Sequence, residues 1–245
     1  MRKSLSALAL GAFALGAAEF VMMGVLPRAA ADMHVGIPTA GHFISAYAIG
    51  VCLGTLILVF GRTVPPKRLI LGLLMLIVLG NLMAAVAPDY PVLIAARLIS
   101  GLPHGAFFGM ASVVAKRLAT PGREAAAVSA VLTGQTIANM VGVPVGTLLG
   151  ETLSWRVAFA ILAAWAFATI IITIAWIPDL AAIHDAGLAG QFRFLSTPRP
   201  WLVAGAVFLG SSGLFSWWSY VSGWLTSAGG YAPSATPALM ALAGL

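Results

Sequence analysis

Three titratable side chains sit within stretches that are otherwise apolar enough to cross a lipid bilayer, and their types suit proton chemistry. From Pro91 to Val114 the chain reads PVLIAARLISGLPHGAFFGMASVV, 24 residues with Arg97 as the one permanently ionised group. At about 1.5 Å per residue that run is long enough for a ~30 Å hydrocarbon core. A guanidinium cannot shed its proton, so at that depth it must face a bundle interior or a water-filled cavity. Arg97 lies six residues, about 9 Å, below the outer end of its span. Glu19 lies seven residues, about 10 Å, below the same surface on a first span that ends near Leu26. The shared level makes the two a pair. No other Asp, Glu, Lys or Arg lies deep in a span.

A carboxyl group that a nearby cation favours as the anion, and desolvation favours as the acid, is suited to take up and release a proton. The structural alternative is a static ion pair tethering two helices, although a buried pair is a poor source of stability. His104, in Pro103-His104-Gly105, titrates near neutrality and is either part of a proton path or a hydrogen-bonded packing residue. Tyr47, Gln135, Asn139 and Trp217 are candidates to line a polar and aromatic cavity for amphipathic or sugar-like molecules. Gln135 and Asn139 stand one turn apart on one helix face, which suits interhelical hydrogen bonding equally. Trp218, Tyr220 and Trp224 also fit an interfacial aromatic belt. Gly101, Gly105 and Gly109 form one stripe, and Gly142, Gly146 and Gly150 a second with Pro144 inside it. Spacing of four lets backbones approach closely, and the proline removes a donor and loosens its helix.

The elements that must carry these residues are membrane spans. Of 245 residues, 60% are hydrophobic and 8% charged, about a third of the charged fraction of a soluble domain. The fold class is therefore all-α integral membrane, and the net charge of +6 does not point to nucleic acid. Spans are expected at 5–26, 38–60, 69–87, 91–115, 125–150, 157–178 and 201–225, with an eighth beginning near Ala235. The first contains Glu19 and is too long for a signal-peptide core. With the N-terminus inside, ten Lys and Arg fall on the cytoplasmic side (Lys67 and Arg68 in the loop between spans two and three) against Arg28 and Arg156 outside. That bias opposes a seven-helix receptor with its N-terminus outside. Cys52 is the one cysteine and reads as a small core residue. There is no phosphate-binding loop, zinc motif or serine elbow, so no enzyme activity, cofactor or metal is expected.

A long polar connection, 179–200, separates a six-helix bundle, 1–178, from the remainder, 201–245. GAFALGAAEFV, Gly11 to Val21, aligns with GAVFLGSSGLF, Gly205 to Phe215, at an offset of 194 residues. ISAYAIG, Ile44 to Gly50, loosely matches MALAGL, Met240 to Leu245. A duplicated six-helix unit is a transporter architecture, and on that reading a complete chain runs to about twice the repeat. The sequence then reads as a first half with the seventh span and the start of the eighth. The alternative is a fragment of a transporter that does not itself transport.

RLISGLPHGAFFG, Arg97 to Gly109, resembles the fourth-helix signature of the major facilitator superfamily. GQTIANMVGVPVGTLLG, Gly134 to Gly150, resembles the fifth-helix antiporter motif of its proton-driven efflux branch. With AEFVMMGVLP, Ala18 to Pro27, and SWRVAF, Ser154 to Phe159, the chain is similar to the AraJ-like sugar-efflux and arabinose-efflux group of drug:proton antiporters. The resemblance implies proton-coupled efflux of a small molecule through a multi-pass protein of the bacterial inner membrane, monomeric at full length. It implies proton-coupling roles for Arg97 and Glu19, and places Gly142, Pro144 and Gly146 in the antiporter motif. One departure stands out. The family's loop between helices two and three carries an acid that latches the cytoplasmic gate, whereas LILVFGRTVPPKR, Leu56 to Arg68, has none and retains only Lys67 and Arg68.

Overall fold

The computed structural model describes residues 1–182 and 193–243, and every regular element among them is helical. In chain order these are α1 (Arg2–Asp32), α2 (Ile37–Ala40), α3 (His42–Gly54), α4 (Leu56–Phe60), α5 (Pro66–Ala85), α6 (Tyr90–Gly101), α7 (Pro103–Leu118) and α8 (Glu124–Ile137). Then follow α9 (Val143–Leu149), α10 (Trp155–Trp176), α11 (Pro198–Ser219), α12 (Val221–Ser227) and α13 (Thr236–Ala243). Part of the 179–200 connection, with Asp185 and Gln191, lies outside the described residues.

Six helical stretches among the described residues are long and apolar enough to cross a membrane. The fifth, Glu124–Trp176, is two rods, because Ser154 adopts an extended backbone and reverses the chain before α10. Its hydroxyl accepts the Arg156 backbone N–H at 3.3 Å, capping the new helix. The expected spans are therefore present, but several are broken where the sequence reads as continuous. The second splits at Thr55 into α3 and α4, and the fourth splits at Leu102, where Pro103 opens α7. In the fifth, π-helical turns at Ala138–Gly142 and Gly150–Ser154 flank α9, which carries Pro144. A proline removes one backbone donor, and local re-pairing of this kind accommodates it.

The first span departs most from expectation. It continues past Leu26 and through Pro27 to Asp32. Pro27 cannot donate to the Met23 carbonyl one turn earlier, and the Ser222 hydroxyl of α12 donates to that oxygen instead, at 2.6 Å. A freed carbonyl in apolar surroundings thus becomes the anchor of the seventh span.

Helix α1 is the spine. Gly134 meets the Ala9 backbone, Gly142 meets Phe13 and Ala17, Gly146 meets Val21 and Gly150 meets Val25. Ala9, Ala17, Val21 and Val25 are each 125 positions from their partner, so the fifth span runs parallel to α1 in constant register. Helix α10 runs the other way. Trp165 donates to the Leu10 carbonyl at 3.2 Å, and Ser4 donates to the Trp176 carbonyl at 2.7 Å. Spans two and four pack backbone to backbone, with Gly50 and Gly54 against the carbonyls of Leu98 and Leu102, and Gly101 against that of Tyr47. One apolar cluster, including Leu15, Leu73, Phe107 and Val114, fills the end of the bundle that holds the N-terminus. Another, including Met22, Phe43, Leu93 and Phe159, fills the opposite end.

The repeated segments have unlike surroundings. A side chain at Gly11 would collide with Phe107 and one at Gly16 would crowd Gln135, whereas Gly205, Gly210 and Gly213 of α11 have open space. No residue of α11 is buried, and Phe215 stacks on Phe20 of α1 at 5.9 Å between ring centres.

A Cβ at Gly54 would strike the Leu102 carbonyl, which belongs to a helix backbone and cannot swing aside. Gly54→Ala is expected to destabilise the bundle by about 1–3 kcal/mol, the usual range for overpacking. Gly72, also mid-span but with open space around it, is the control. Thermal denaturation in detergent should separate the two variants by several degrees.

Candidate functional site

Arg97 projects from α6 into the junction of four spans and is fully buried. Its Nη1 donates to the Ala18 carbonyl at 2.8 Å, its Nη2 to the Glu19 carbonyl at 3.4 Å and its Nε to the Phe43 carbonyl at 3.3 Å. The guanidinium also lies over the Tyr47 ring at 4.5 Å and faces the Phe159 ring at 5.6 Å. The charge is thus held by carbonyl dipoles and ring faces from α1, α3 and α10. Depth matching does bring Arg97 to Glu19, but to its backbone oxygen. The expected carboxylate–guanidinium pair does not form in this arrangement.

The Glu19 carboxylate turns to a different partner. Its Oε2 lies 3.6 Å from Nε2 of His104, with 17% and 12% of the two side chains exposed. The other ring nitrogen of His104, Nδ1, is 2.9 Å from the Tyr47 hydroxyl, which also reaches the Leu15 carbonyl at 3.4 Å. Glu19, His104 and Tyr47 therefore form one string across α1, α7 and α3, with Arg97 against its Tyr47 end. Pro103, the first residue of α7, immediately precedes His104.

The other candidates divide. Gln135, half-buried on α8, packs beside Gly16 one turn from Glu19. Asn139 lies in the first π turn, and its buried carbonyl oxygen has no hydrogen-bond partner among the described residues. Trp217 is half-exposed on α11 with its ring against Trp218, outside the string. Gly142 and Gly146 are where α1 meets the fifth span, and Pro144 is buried between them. Lys67 pairs with Asp179 at 3.4 Å, while Arg68 is exposed. Asp179 lies beyond α10, and its carboxylate is 96% exposed. Such a surface pair contributes about 0–1 kcal/mol.

A cavity of about 360 Å³ lies between α3 and α11, and Tyr47, Gln135, Asn139 and Trp217, expected to line one, are not among its lining residues. Ser45, Ser216, Ser219 and Tyr220 are the hydroxyl-bearing residues among those lining it. Ser216 and Ser219 donate to carbonyls one turn back on their own helix, at 2.7 and 2.6 Å, so their oxygens are left as acceptors. The readable signal was the near-helical spacing of Ser212, Ser216 and Ser219 among aromatics.

Buried charge, a titratable string and seven apolar spans in the observed order together define a multi-pass helical membrane protein. Residues 8–245 match the family model described as Major Facilitator Superfamily, and the chain belongs to that family. AraJ of Escherichia coli (strain K12) is 40% identical over 246 residues, covering 100% of this chain and 62% of AraJ. The chloramphenicol resistance protein of Streptomyces lividans is 31% identical over 194 residues, covering 79% of this chain and 47% of that protein. The chain thus spans about half to three fifths of these relatives. The crystal structure of a bacterial homolog of the human lysosomal transporter Spinster, inward-facing and unoccupied, superposes with a TM-score of 0.77. It covers 98% of this chain and 59% of that one at 17% identity, a likeness of fold.

Lysine in place of Arg97 would present a point charge where a planar fork now serves three carbonyls in different directions. Arg97→Lys is expected to lose about 1.5–3 kcal/mol, the worth of a charge-assisted bond. Denaturation in detergent, read beside Arg68→Lys on the surface as the control, checks this.

Proposed function

We propose that this chain forms the first half of a proton-coupled exporter, carrying a small molecule outward as protons move inward. Glu19 is the proton carrier in this reading. The observation that supports it is the Glu19–His104–Tyr47 string, a carboxyl group facing an imidazole in a bundle whose other deep charge is already satisfied by backbone. A carboxylate tied to Arg97 would be held as the anion; one facing His104 is able to exchange a proton. Arg97 then acts through the Glu19 backbone and the Tyr47 ring, setting where the string lies and biasing its charge.

The cavity beside α11 suggests the substrate class. Its serine oxygens accept hydrogen bonds, which suits a small molecule rich in O–H or N–H groups, such as a sugar derivative or a hydroxylated drug. The relative from Streptomyces lividans, a chloramphenicol resistance protein, is in keeping with export. Alternating access requires a second bundle to rock against the first about a central site. Helices α11 and α12, fastened to α1 through Ser222 and Phe215, are where that movement would pivot. The charge bias of the loops supports a cytoplasmic N-terminus in a bacterial inner membrane.

Inverted vesicles carrying an internal pH dye test the coupling, with chloramphenicol and arabinose as the first probes. Addition of a transported probe should release lumenal protons in the native chain. Glu19→Gln should cut that release by at least about tenfold, as loss of an acid–base group does. Full proton release in the variant would overturn the assignment.

A further inference from the structure

The Tyr47 hydroxyl has one proton and two acceptors within reach. His104 Nδ1 is 2.9 Å away on α7, and the Leu15 carbonyl is 3.4 Å away on α1. A neutral imidazole likewise carries one N–H, and its position is set by what each nitrogen faces. The far nitrogen, Nε2, faces the Glu19 carboxyl at 3.6 Å. With the imidazole neutral, two arrangements satisfy all these groups at once. With Glu19 ionised, Nε2 must carry the hydrogen to donate to the carboxylate, and the bare Nδ1 accepts from Tyr47. With Glu19 protonated, its O–H donates to a bare Nε2, Nδ1–H donates to the Tyr47 oxygen, and the Tyr47 proton turns to Leu15. The string holds three exchangeable protons in the second state and two in the first, and the difference is the single proton handed to water.

We propose that Tyr47 is a positioning residue whose hydroxyl rotates between His104 and the Leu15 carbonyl, selecting which ring nitrogen of His104 carries the hydrogen. The inference rests on the reading that Glu19 carries the coupled proton. Its consequence is mechanical. In the ionised state Tyr47 ties α3 to α7, and in the protonated state the same hydroxyl also ties α3 to α1. The protonation state of Glu19 is thereby written into which spans are bonded together.

The geometry makes a rotor more apt than a proton relay. Tyr47 is 2% exposed, and its ring is fixed beneath the Arg97 guanidinium at 4.5 Å and against His104 edge-on at 5.8 Å. The ring cannot leave, so the hydroxyl hydrogen is the part free to move. Both Glu19 and His104 keep some exposure, room for the 3.6 Å gap to close to a hydrogen bond. Among the described residues, the charged and titratable groups around the string are Glu19 from α1, Tyr47 from α3, Arg97 from α6 and His104 from α7. The fifth span adds the neutral Gln135, packed beside Gly16.

Nitrogen-15 spectra of the full chain, labelled at histidine and held in lipid nanodiscs, report the tautomer directly. His104 is assigned by the signal lost in His104→Gln. Across about pH 5–8 the native chain should move its ring N–H from Nδ1 to Nε2 as pH rises. Tyr47→Phe keeps the ring and its contact with Arg97, and should shift the midpoint by about 0.4–1 pH unit, the worth of one net hydrogen bond. Glu19→Gln should abolish the pH-dependent switch. A ring protonated on both nitrogens at the acid end, a single tautomer throughout, or an unmoved midpoint in Tyr47→Phe would each overturn the inference. If Glu19→Gln still lost vesicle proton release, the coupling reading would survive that result. A Glu19→Gln chain that retained both the switch and the proton release would sink both.

Discussion

A guanidinium without water must find acceptors, and in this bundle the nearest ones are the carbonyls of other helices. Arg97 reaches Ala18, Glu19 and Phe43 through backbone oxygens and lies against the rings of Tyr47 and Phe159. Those contacts draw α1, α3, α6 and α10 to one point. Each carbonyl already serves its own helix, so a second lone pair is used and no turn need be broken. Because backbone satisfies the cation, the Glu19 side chain is spared that duty and is able to face His104. The titratable string depends on the buried arginine in this negative sense: its carboxyl is available because the charge nearby has been met by dipoles.

The same economy of donors and acceptors shapes the helices around it. Pro27 leaves the Met23 carbonyl without its usual partner, and Ser222 supplies one, which fastens the seventh span to the first. Pro144 sits between two π turns in a span that packs on α1 through Gly134, Gly142, Gly146 and Gly150. Glycine contacts allow two backbones to approach and slide; π turns and proline loosen one of them. The first and fifth spans are thereby close and in register, and α1 carries both Glu19 and the Leu15 carbonyl of the string.

Much of this was legible in the residues. Composition and run length determined the class and the approximate spans, because a hydrocarbon core imposes length and apolarity on any helix that crosses it. Arg97, Glu19, Tyr47 and His104 stood out because ionisable side chains and tyrosines in such runs are few. Spacing of four among glycines marked the faces where backbones would meet. Depth counting placed Arg97 and Glu19 at one level, and the 3.4 Å contact to the Glu19 carbonyl agrees with it.

Only the tertiary structure decided which atoms meet. Depth is one coordinate, whereas partner choice depends on the angle about each helix axis and on the direction of each side chain. Those are set by packing between spans distant in sequence. So the sequence by itself determined that a carboxyl group, an imidazole, a phenol and a guanidinium share the membrane interior. The packed helices decided that the guanidinium binds carbonyls, that the carboxyl faces the imidazole and that the phenol stands between two acceptors. A further cavity, lined by Ser216 and Ser219, forms where α11 stands beside α3, two helices that no local pattern connects.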